Sequence, residues 1–160
     1  MHIVLLIVAA LGLVGVIDAF VTRARLEADI ATARASRPVD DTTGLLNQRA
    51  YLPRITGELK RAQRSRSNVW LSVWTITDGD PDRFGRVAAD GLRFPEVGFR
   101  LDERVFCFAR PGATEAVRND LLARLRTAGP REQVAVGEVT WRAGDPDAMR
   151  LLHAAIGAMR

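Results

Sequence analysis

The chain has 160 residues, of which 48% are hydrophobic, and a formal net charge of +4 at pH 7. This length allows one domain with a hydrophobic core, and the modest positive balance is typical of charge dispersed over a surface, so we expect no nucleic-acid partner. The single cysteine, Cys107, excludes an internal disulfide and a cysteine-based zinc site, and it is predicted to pack inside a strand.

An apolar stretch begins the chain. Residues 3–21 are interrupted only by Asp18, and about 19 residues of helix would span roughly 28 Å, the thickness of one hydrocarbon core. Asp18 lies within one turn of the end, where a carboxylate costs less than at mid-bilayer. We therefore predict a transmembrane anchor at residues 1–22. A cleaved signal peptide is the alternative, although no basic region precedes the stretch and no small-x-small site follows it.

Basic residues follow this stretch. They are Arg23, Arg25, Arg34 and Arg37. The positive-inside rule then predicts a single-pass protein of the cell membrane whose C-terminal domain is cytoplasmic. Residues 23–38 are predicted to form a juxtamembrane helical linker, either a plain spacer or a stalk that pairs with a second copy. The remaining residues, 39–160, are predicted to form one domain.

The domain begins with the sequence DDTTGLLNQRAYL at residues 40–52. Gly44 allows a tight turn, and Asn47 is expected to cap the helix that follows. The spacing of apolar residues in that helix predicts a buried stripe. Its members are Leu52, Ile55, Leu59 and Ala62.

Two segments of strand character come next. Residues 69–77, VWLSVWTIT, are rich in β-branched and aromatic residues and predict a central strand. Residues 78–82, DGDPD, are predicted to form a turn. Residues 92–112 then predict a β-hairpin, because alternating apolar residues flank a charged tip at residues 102–104.

The last third of the domain predicts helix, strand and helix. Residues 114–127 form the first helix, stopped by Gly129-Pro130, and residues 133–141 form the strand. Asp145 and Pro146 are predicted as the cap and first residue of the final helix. We expect its inward residues to be Met149, Leu152, Ile156 and Met159. His153 lies in this helix without a catalytic partner and is interpreted as structural.

Together these segments resemble the GGDEF (diguanylate cyclase) family. The opening segment matches the family at Asp40, Thr43, Gly44, Leu45, Asn47, Arg49 and Leu52, and the hairpin matches it at Arg93, Arg100, Phe106, Pro111 and Gly112. The resemblance implies an α+β fold, with an antiparallel-rich GGDEF/nucleotide-cyclase-like sheet flanked by helices. The fold is expected to be shortened, because the stretch from Thr75 to Arg93 lacks the family's guanine-recognition segment.

The resemblance also implies that the chemistry of the family has been lost. The five signature letters fall on Asp102, Glu103, Arg104, Val105 and Phe106, of which only Phe106 matches. The family's metal-binding aspartates fall on Thr75 and Thr77, and a hydroxyl is a poor substitute for a carboxylate facing Mg²⁺. We therefore expect no catalytic residue, no metal ligand and no cofactor.

The resemblance to the GGDEF family also extends to one ligand-binding site. Many family members carry R-x-x-D five residues before the signature, where it binds the product cyclic di-GMP, and the equivalent residues here are Arg93 and Glu96. The resemblance therefore implies a cyclic di-GMP site. The alternative interpretation is a pair of surface charges at the start of a strand.

The resulting hypothesis is a membrane-anchored, catalytically inactive GGDEF-like regulatory domain. It would act through protein interaction, as a homodimer or with an active GGDEF protein, and through cyclic di-GMP. One alternative is an active diguanylate cyclase with a site shifted by two residues, built from Asp78, Asp102 and Glu103. The other is a purely structural, membrane-tethered interaction protein.

Overall fold

A computed structural model describes residues 37–129 and 132–159. The strands are β1 (Leu46–Asn47), β2 (Val69–Asp78), β3 (Val97–Arg100), β4 (Val105–Pro111) and β5 (Gln133–Trp141). The helices are α1 (Gln48–Ser65), α2 (Pro81–Gly91), α3 (Glu115–Ala128) and α4 (Ala148–Gly157). The predicted anchor at residues 1–22 and all but the end of the linker at 23–38 lie outside the described residues and stay predictions. Within the described ranges, no helix has both the length and the apolar character needed to cross a bilayer.

The five strands form one mixed sheet in the order β1-β3-β4-β2-β5. The short strand β1 runs parallel to β3, and the other three pairings are antiparallel. The predicted hairpin is confirmed, since Val97 pairs with Ala109 and Arg100 pairs with Phe106. The α+β class with an antiparallel-rich sheet is therefore confirmed as well.

The sheet is buried on both faces. Alternate residues of β2 explain this, because Val69, Leu71 and Val73 pack with α1 and α4 on one face. The residues between them, led by Trp70 and Trp74, pack with α2 and α3 on the other. A strand covered on both sides has no polar face, which is why residues 69–77 read as a nearly continuous apolar run.

An aromatic cluster joins α2 to the second face. Phe84 of α2 lies 5.0 Å from Phe106, 5.8 Å from Trp74 and 6.2 Å from Phe108, measured between ring centroids. Complete burial of each such side chain contributes about 1.5–3 kcal/mol. Phe106, the one signature residue that the chain retains, therefore serves as a core residue.

Helix α2 was not predicted. Its cap and first residue are Asp80 and Pro81, which lie in the segment for which the sequence predicts a turn. Asp80 Oδ1 accepts a hydrogen bond from Arg83 N at 3.0 Å. Phe84 and Ala88 form its buried face at a spacing of four residues. A cap followed by proline and this spacing is the signal that could have indicated the helix.

The predicted stripe of α1 is wrong at one position. Leu52 is 47% exposed, whereas the neighbouring Tyr51 is buried. The hydroxyl of Tyr51 donates to Ala148 O at 3.0 Å, which satisfies its polar atom inside the core. Glu58 is also buried on this face because Arg54 and Arg61 form ion pairs with its carboxylate.

Helix α4 begins two residues later than predicted. Its cap is Asp147, while Asp145 accepts a hydrogen bond from Arg142 N within the preceding turn. The predicted inward face is also wrong, because Met149 and Ile156 are exposed, whereas Leu152 and Met159 are partly buried against the core. The buried residues are Ala148, Leu151 and Ala155.

Gly137 provides a test of the packing of α4 on β5. A Cβ atom at this residue would lie 1.8 Å from Ala155 O, so we expect Gly137→Ala to lower the free energy of unfolding by about 3 kcal/mol or more. Gly57→Ala is the matched control, because Gly57 lies in α1 with no atom within 4 Å of an added Cβ. Helix propensity predicts a gain of up to about 1 kcal/mol for this control. Urea unfolding measures the free energy of unfolding of both variants. Equal changes in the two variants would contradict the close packing of α4 on β5 at Gly137.

Candidate functional site

The tip of the β3–β4 hairpin lies beside the C-terminal end of β2. Thr75 pairs with Val105 across the two strands, and Ile76 N donates to Arg104 O at 2.9 Å. Thr75, one of the two positions at which the resemblance implies a metal ligand, therefore lies beside the signature position Val105. These two residues carry a hydroxyl and an isopropyl group, which lack the carboxylate oxygens that a hard dication prefers. The residues present do not fit a Mg²⁺ site.

Side chains at other predicted site positions make contacts within the chain. Arg104 Nη1 donates to Ile76 O at 3.1 Å, and Asp102 Oδ1 accepts from Glu103 N at 2.7 Å. Thr77 Oγ1 donates to Gln133 O at 3.1 Å on β5. Each of these polar groups thus stabilises the end of the sheet.

The shifted site does not assemble in the structure. Asp78, Asp102 and Glu103 all belong to the described residues, yet no cluster of three metal-binding side chains occurs among those residues. Asp78 Oδ1 accepts a hydrogen bond from Gly79 N at 2.9 Å, which is a local turn contact.

Arg100 links three segments at this end of the sheet. Its guanidinium lies 3.3 Å from Asp40 Oδ1 of the opening segment and 2.6 Å from Asp82 Oδ1 of α2. It also donates to Glu103 O at 2.9 Å in the hairpin tip. Because its side chain is only 12% exposed, these bonds are partly shielded from solvent.

Asp40 receives further hydrogen bonds from Thr43. The Thr43 backbone N–H donates at 2.9 Å and the hydroxyl at 2.7 Å. Partial burial opposes ionisation, but the bonds from Thr43 and Arg100 outweigh it, so the pKa of Asp40 lies below its usual range. Asp40 is therefore the carboxylate that holds the opening turn against the sheet.

The second predicted site lies at the opposite end of the sheet, where β3 begins. The Arg93 cleft, a cavity of about 360 Å³, contains both predicted residues, Arg93 and Glu96. It also contains Phe94, Arg110, Ala116, Val117, Asp120 and Arg124. The structure thus places the predicted pair beside two arginines, Arg110 and Arg124, from elsewhere in the chain.

Glu96 and Arg124 form a close ion pair in this cleft. The two oxygens of Glu96 lie 2.5 and 2.9 Å from the two terminal nitrogens of Arg124. Glu96 Oε2 also accepts from Arg93 N at 2.7 Å, and the Glu96 side chain is only 4% exposed. These contacts raise the pKa of Arg124, with the hydrogen bond to Glu96 as the main cause.

Arg93 and Phe94 face solvent. The Arg93 side chain is 71% exposed and lies 3.8 Å from Asp120 Oδ2, while Phe94 is 97% exposed. An aromatic ring beside several guanidinium groups can stack on a planar ligand while the cations bind its anionic groups. The sequence predicts neither Arg124 nor Phe94 as a site residue. Phe94 was adjacent to Arg93, but Arg124 had no sequence signal, because it is brought near only by the packing of α3.

The fold matches a known class of structures. No protein-family model matches the sequence, and no curated protein is significantly similar to it. Solved structures are similar in fold, and the chain has the α+β fold of GGDEF domains.

Three solved structures illustrate the similarity. The coiled coil and GGDEF domain of DgcB from Caulobacter crescentus, in complex with c-di-GMP, has a TM-score of 0.70 and 16% identity, covering 88% of each chain. Diguanylate cyclase SiaD, in complex with its activator SiaC from Pseudomonas aeruginosa, has a TM-score of 0.67 and 21% identity, covering 94% of this chain and 67% of that one. The FimX GGDEF domain from Pseudomonas aeruginosa has a TM-score of 0.66 and 14% identity, covering 76% and 91%.

The Arg100 network predicts a pH-dependent stability difference. We expect Arg100→Met to lower the free energy of unfolding by about 2 kcal/mol at pH 7, because Asp40 and Asp82 lose a charged donor. The depressed pKa of Asp40 stabilises the fold above the usual carboxyl pKa, and this stabilisation disappears as the pH falls through the folded-state pKa. The difference between variant and wild type should therefore shrink at pH 2.5. Urea unfolding at both pH values measures it, and a constant difference would contradict the role of Asp40.

Proposed function

We propose that the protein is a catalytically inactive, GGDEF-like regulatory protein that binds cyclic di-GMP in the Arg93 cleft. The observation that carries this proposal is the convergence of three arginines and an exposed aromatic ring in one cavity. Cyclic di-GMP combines two phosphate anions with two planar guanines, and guanidinium groups and an aromatic face suit those two parts. The DgcB structures, which contain c-di-GMP, lend support through the shared fold.

Arg93 and Phe94 are the residues that would contact the ligand directly. The ion pair between Arg93 and Asp120 is long and exposed on both sides, so it contributes little and can be exchanged for a phosphate. The ring of Phe94 is almost completely accessible, so a guanine can stack on it without moving other side chains.

Glu96 has a different role from the one that the resemblance implies. Both of its carboxylate oxygens are engaged by Arg124, and one also accepts from Arg93 N. We assign Glu96 as a positioning residue that holds Arg124 and the backbone of Arg93 in place. Recognition of a guanine edge by Glu96 would first require the loss of these bonds.

The lack of cyclase activity is supported by the residues at the hairpin tip. Thr75 and Thr77 occupy the positions at which the resemblance implies metal-binding aspartates, and the signature position paired with Thr75 carries Val105. The alternative, an active diguanylate cyclase using Asp78, Asp102 and Glu103, requires carboxylates that converge, and these three do not form a cluster.

The proposal retains the predicted location and partners. Residues 1–22 would anchor the protein in the cell membrane in a single pass, with the domain at residues 39–160 in the cytoplasm. The protein would signal by pairing with itself or with an active GGDEF protein. The similarity to SiaD, which was solved with its activator SiaC, supports a protein partner.

Calorimetric titration of the 160-residue chain with cyclic di-GMP tests the receptor function. We expect Arg93→Ala and Phe94→Ala each to weaken binding about tenfold or more, because each removes a direct ligand contact. Arg86→Ala is the matched control, because Arg86 is an exposed arginine of α2 that does not line the cleft. An absence of heat at high micromolar cyclic di-GMP would eliminate the receptor function. The remaining hypothesis would then be a purely structural interaction protein.

Incubation of the same chain with GTP and Mg²⁺ tests the alternative. We expect no cyclic di-GMP above the background of the Asp102→Asn, Glu103→Gln double variant, because the hairpin tip lacks converging carboxylates. Liquid chromatography with mass spectrometry measures the product. Formation of cyclic di-GMP that is lost in the double variant would establish the shifted cyclase site.

A further inference from the structure

A polar cleft lies at the same end of the sheet as the Arg93 cleft but shares no lining residue with it. The Arg118 cleft, with a volume of about 250 Å³, is lined in part by Asn68, Thr114, Glu115, Arg118, Thr140 and Arg142. These residues come from the starts of β2 and α3 and from the end of β5, which pairing brings together. Nothing in the proposed function uses them.

Two buried polar atoms at this cleft have no hydrogen-bond partner within the described part of the chain. They are Asn68 Oδ1 and Arg118 Nε. Asn68 is oriented by its other amide atom, since Nδ2 donates to Ala113 O at 3.1 Å. The nearest carboxylate oxygen to Arg118 Nε is Glu138 Oε2 at 4.0 Å, which already accepts from Trp70 Nε1 at 3.2 Å. One unpaired donor and one unpaired acceptor therefore belong to two residues that line the same cleft.

The charged residues around the cleft favour an anion. A larger cavity of about 680 Å³ adjoins it through the shared residues Asn68, Thr114 and Arg142, and this outer cavity adds Arg66. Three arginines are thus opposed by Glu115 and by Glu138 beside Arg118. Thr114 Oγ1 accepts from Val117 N at 3.4 Å, so its own proton is free to be donated.

We propose that this double cavity binds a phosphate monoester with an organic body of nucleoside size. The phosphate would lie in the Arg118 cleft, where Arg118, Arg142 and the threonine hydroxyls can donate to its oxygens. A phosphate carries up to two charges and three acceptor oxygens, which suits several donors better than a carboxylate with one charge and two oxygens.

The other features of the site are consistent with a phosphate in the Arg118 cleft and an organic body in the outer cavity. A protonated phosphate oxygen or a ligand hydroxyl supplies the donor that Asn68 Oδ1 lacks. The outer cavity of about 680 Å³ is the larger of the two, so the organic body would occupy it beside Arg66. Because this site and the Arg93 cleft have no residue in common, the proposal does not depend on cyclic di-GMP binding.

Calorimetry on the 160-residue chain at constant ionic strength tests the site with three probes: GMP, inorganic phosphate and guanosine. We expect GMP to bind, inorganic phosphate to bind about tenfold more weakly, and guanosine to give no heat. Arg118→Gln and Arg142→Gln should each weaken GMP binding about tenfold or more, the usual effect of removing a charge-assisted hydrogen bond.

Arg126→Gln is the matched control, because Arg126 is exposed on the same helix as Arg118 but does not line either cavity. Circular dichroism of each variant confirms that it is folded, and Arg142→Gln in the β5–α4 loop tests the site independently of helix α3. Arg86→Ala, which removes an exposed arginine of α2 that lines neither cavity, should leave GMP binding unchanged. The proposal fails if millimolar GMP and phosphate give no heat, if guanosine binds as tightly as GMP, or if Arg118→Gln and Arg126→Gln behave alike.

Discussion

The antiparallel pairing of β2 with β4 determines where every functional position lies. Seven consecutive pairs, from Val69–Pro111 to Thr75–Val105, connect the two strands along most of their length. The hairpin tip is therefore held at the C-terminal end of β2, and the entry to β3 is held at the opposite end. Each end of the sheet carries a different set of side chains, and the two sets have different chemistry.

At the hairpin tip, protein contacts occupy the positions at which the resemblance implies catalytic groups. Arg100 binds the opening segment, α2 and the tip, while Phe106 lies in the aromatic core around Phe84. A side chain that is needed for packing or for a partly buried ion network is not free to bind a nucleotide. The side chains at the hairpin-tip end of the sheet therefore contribute to the stability of the fold.

At the other end, the arginines are arranged around cavities. Arg93, Arg110 and Arg124 line one cleft, whereas Arg66, Arg118 and Arg142 line a separate pair of adjoining cavities. The first group has an aromatic ring beside it, and the second has unpaired polar atoms within it. Arginine binds phosphate through a planar, two-pronged set of donors, so both arrangements are suited to phosphate-containing ligands.

By itself, the sequence determined four of the five described strands, including the hairpin, and three of the four described helices, because these depend on local patterns. Alternation predicts β3 and β4, the cap Asn47 predicts the start of α1, and Gly129-Pro130 predicts the end of α3. Local patterns failed where a tertiary contact decided the outcome. Tyr51 is buried in place of Leu52 because its hydroxyl reaches Ala148 O across the core.

Only the tertiary structure decided the composition of the two clefts. Arg124 is 28 residues from Glu96, and Arg118 and Arg142 come from different elements on either side of β5. Spacing along a chain carries no information about such neighbours, since they meet only after α3 packs on the sheet and β5 pairs with β2. Sequence patterns thus identified Arg93, but the fold supplied the residues around it and the whole of the Arg118 cleft.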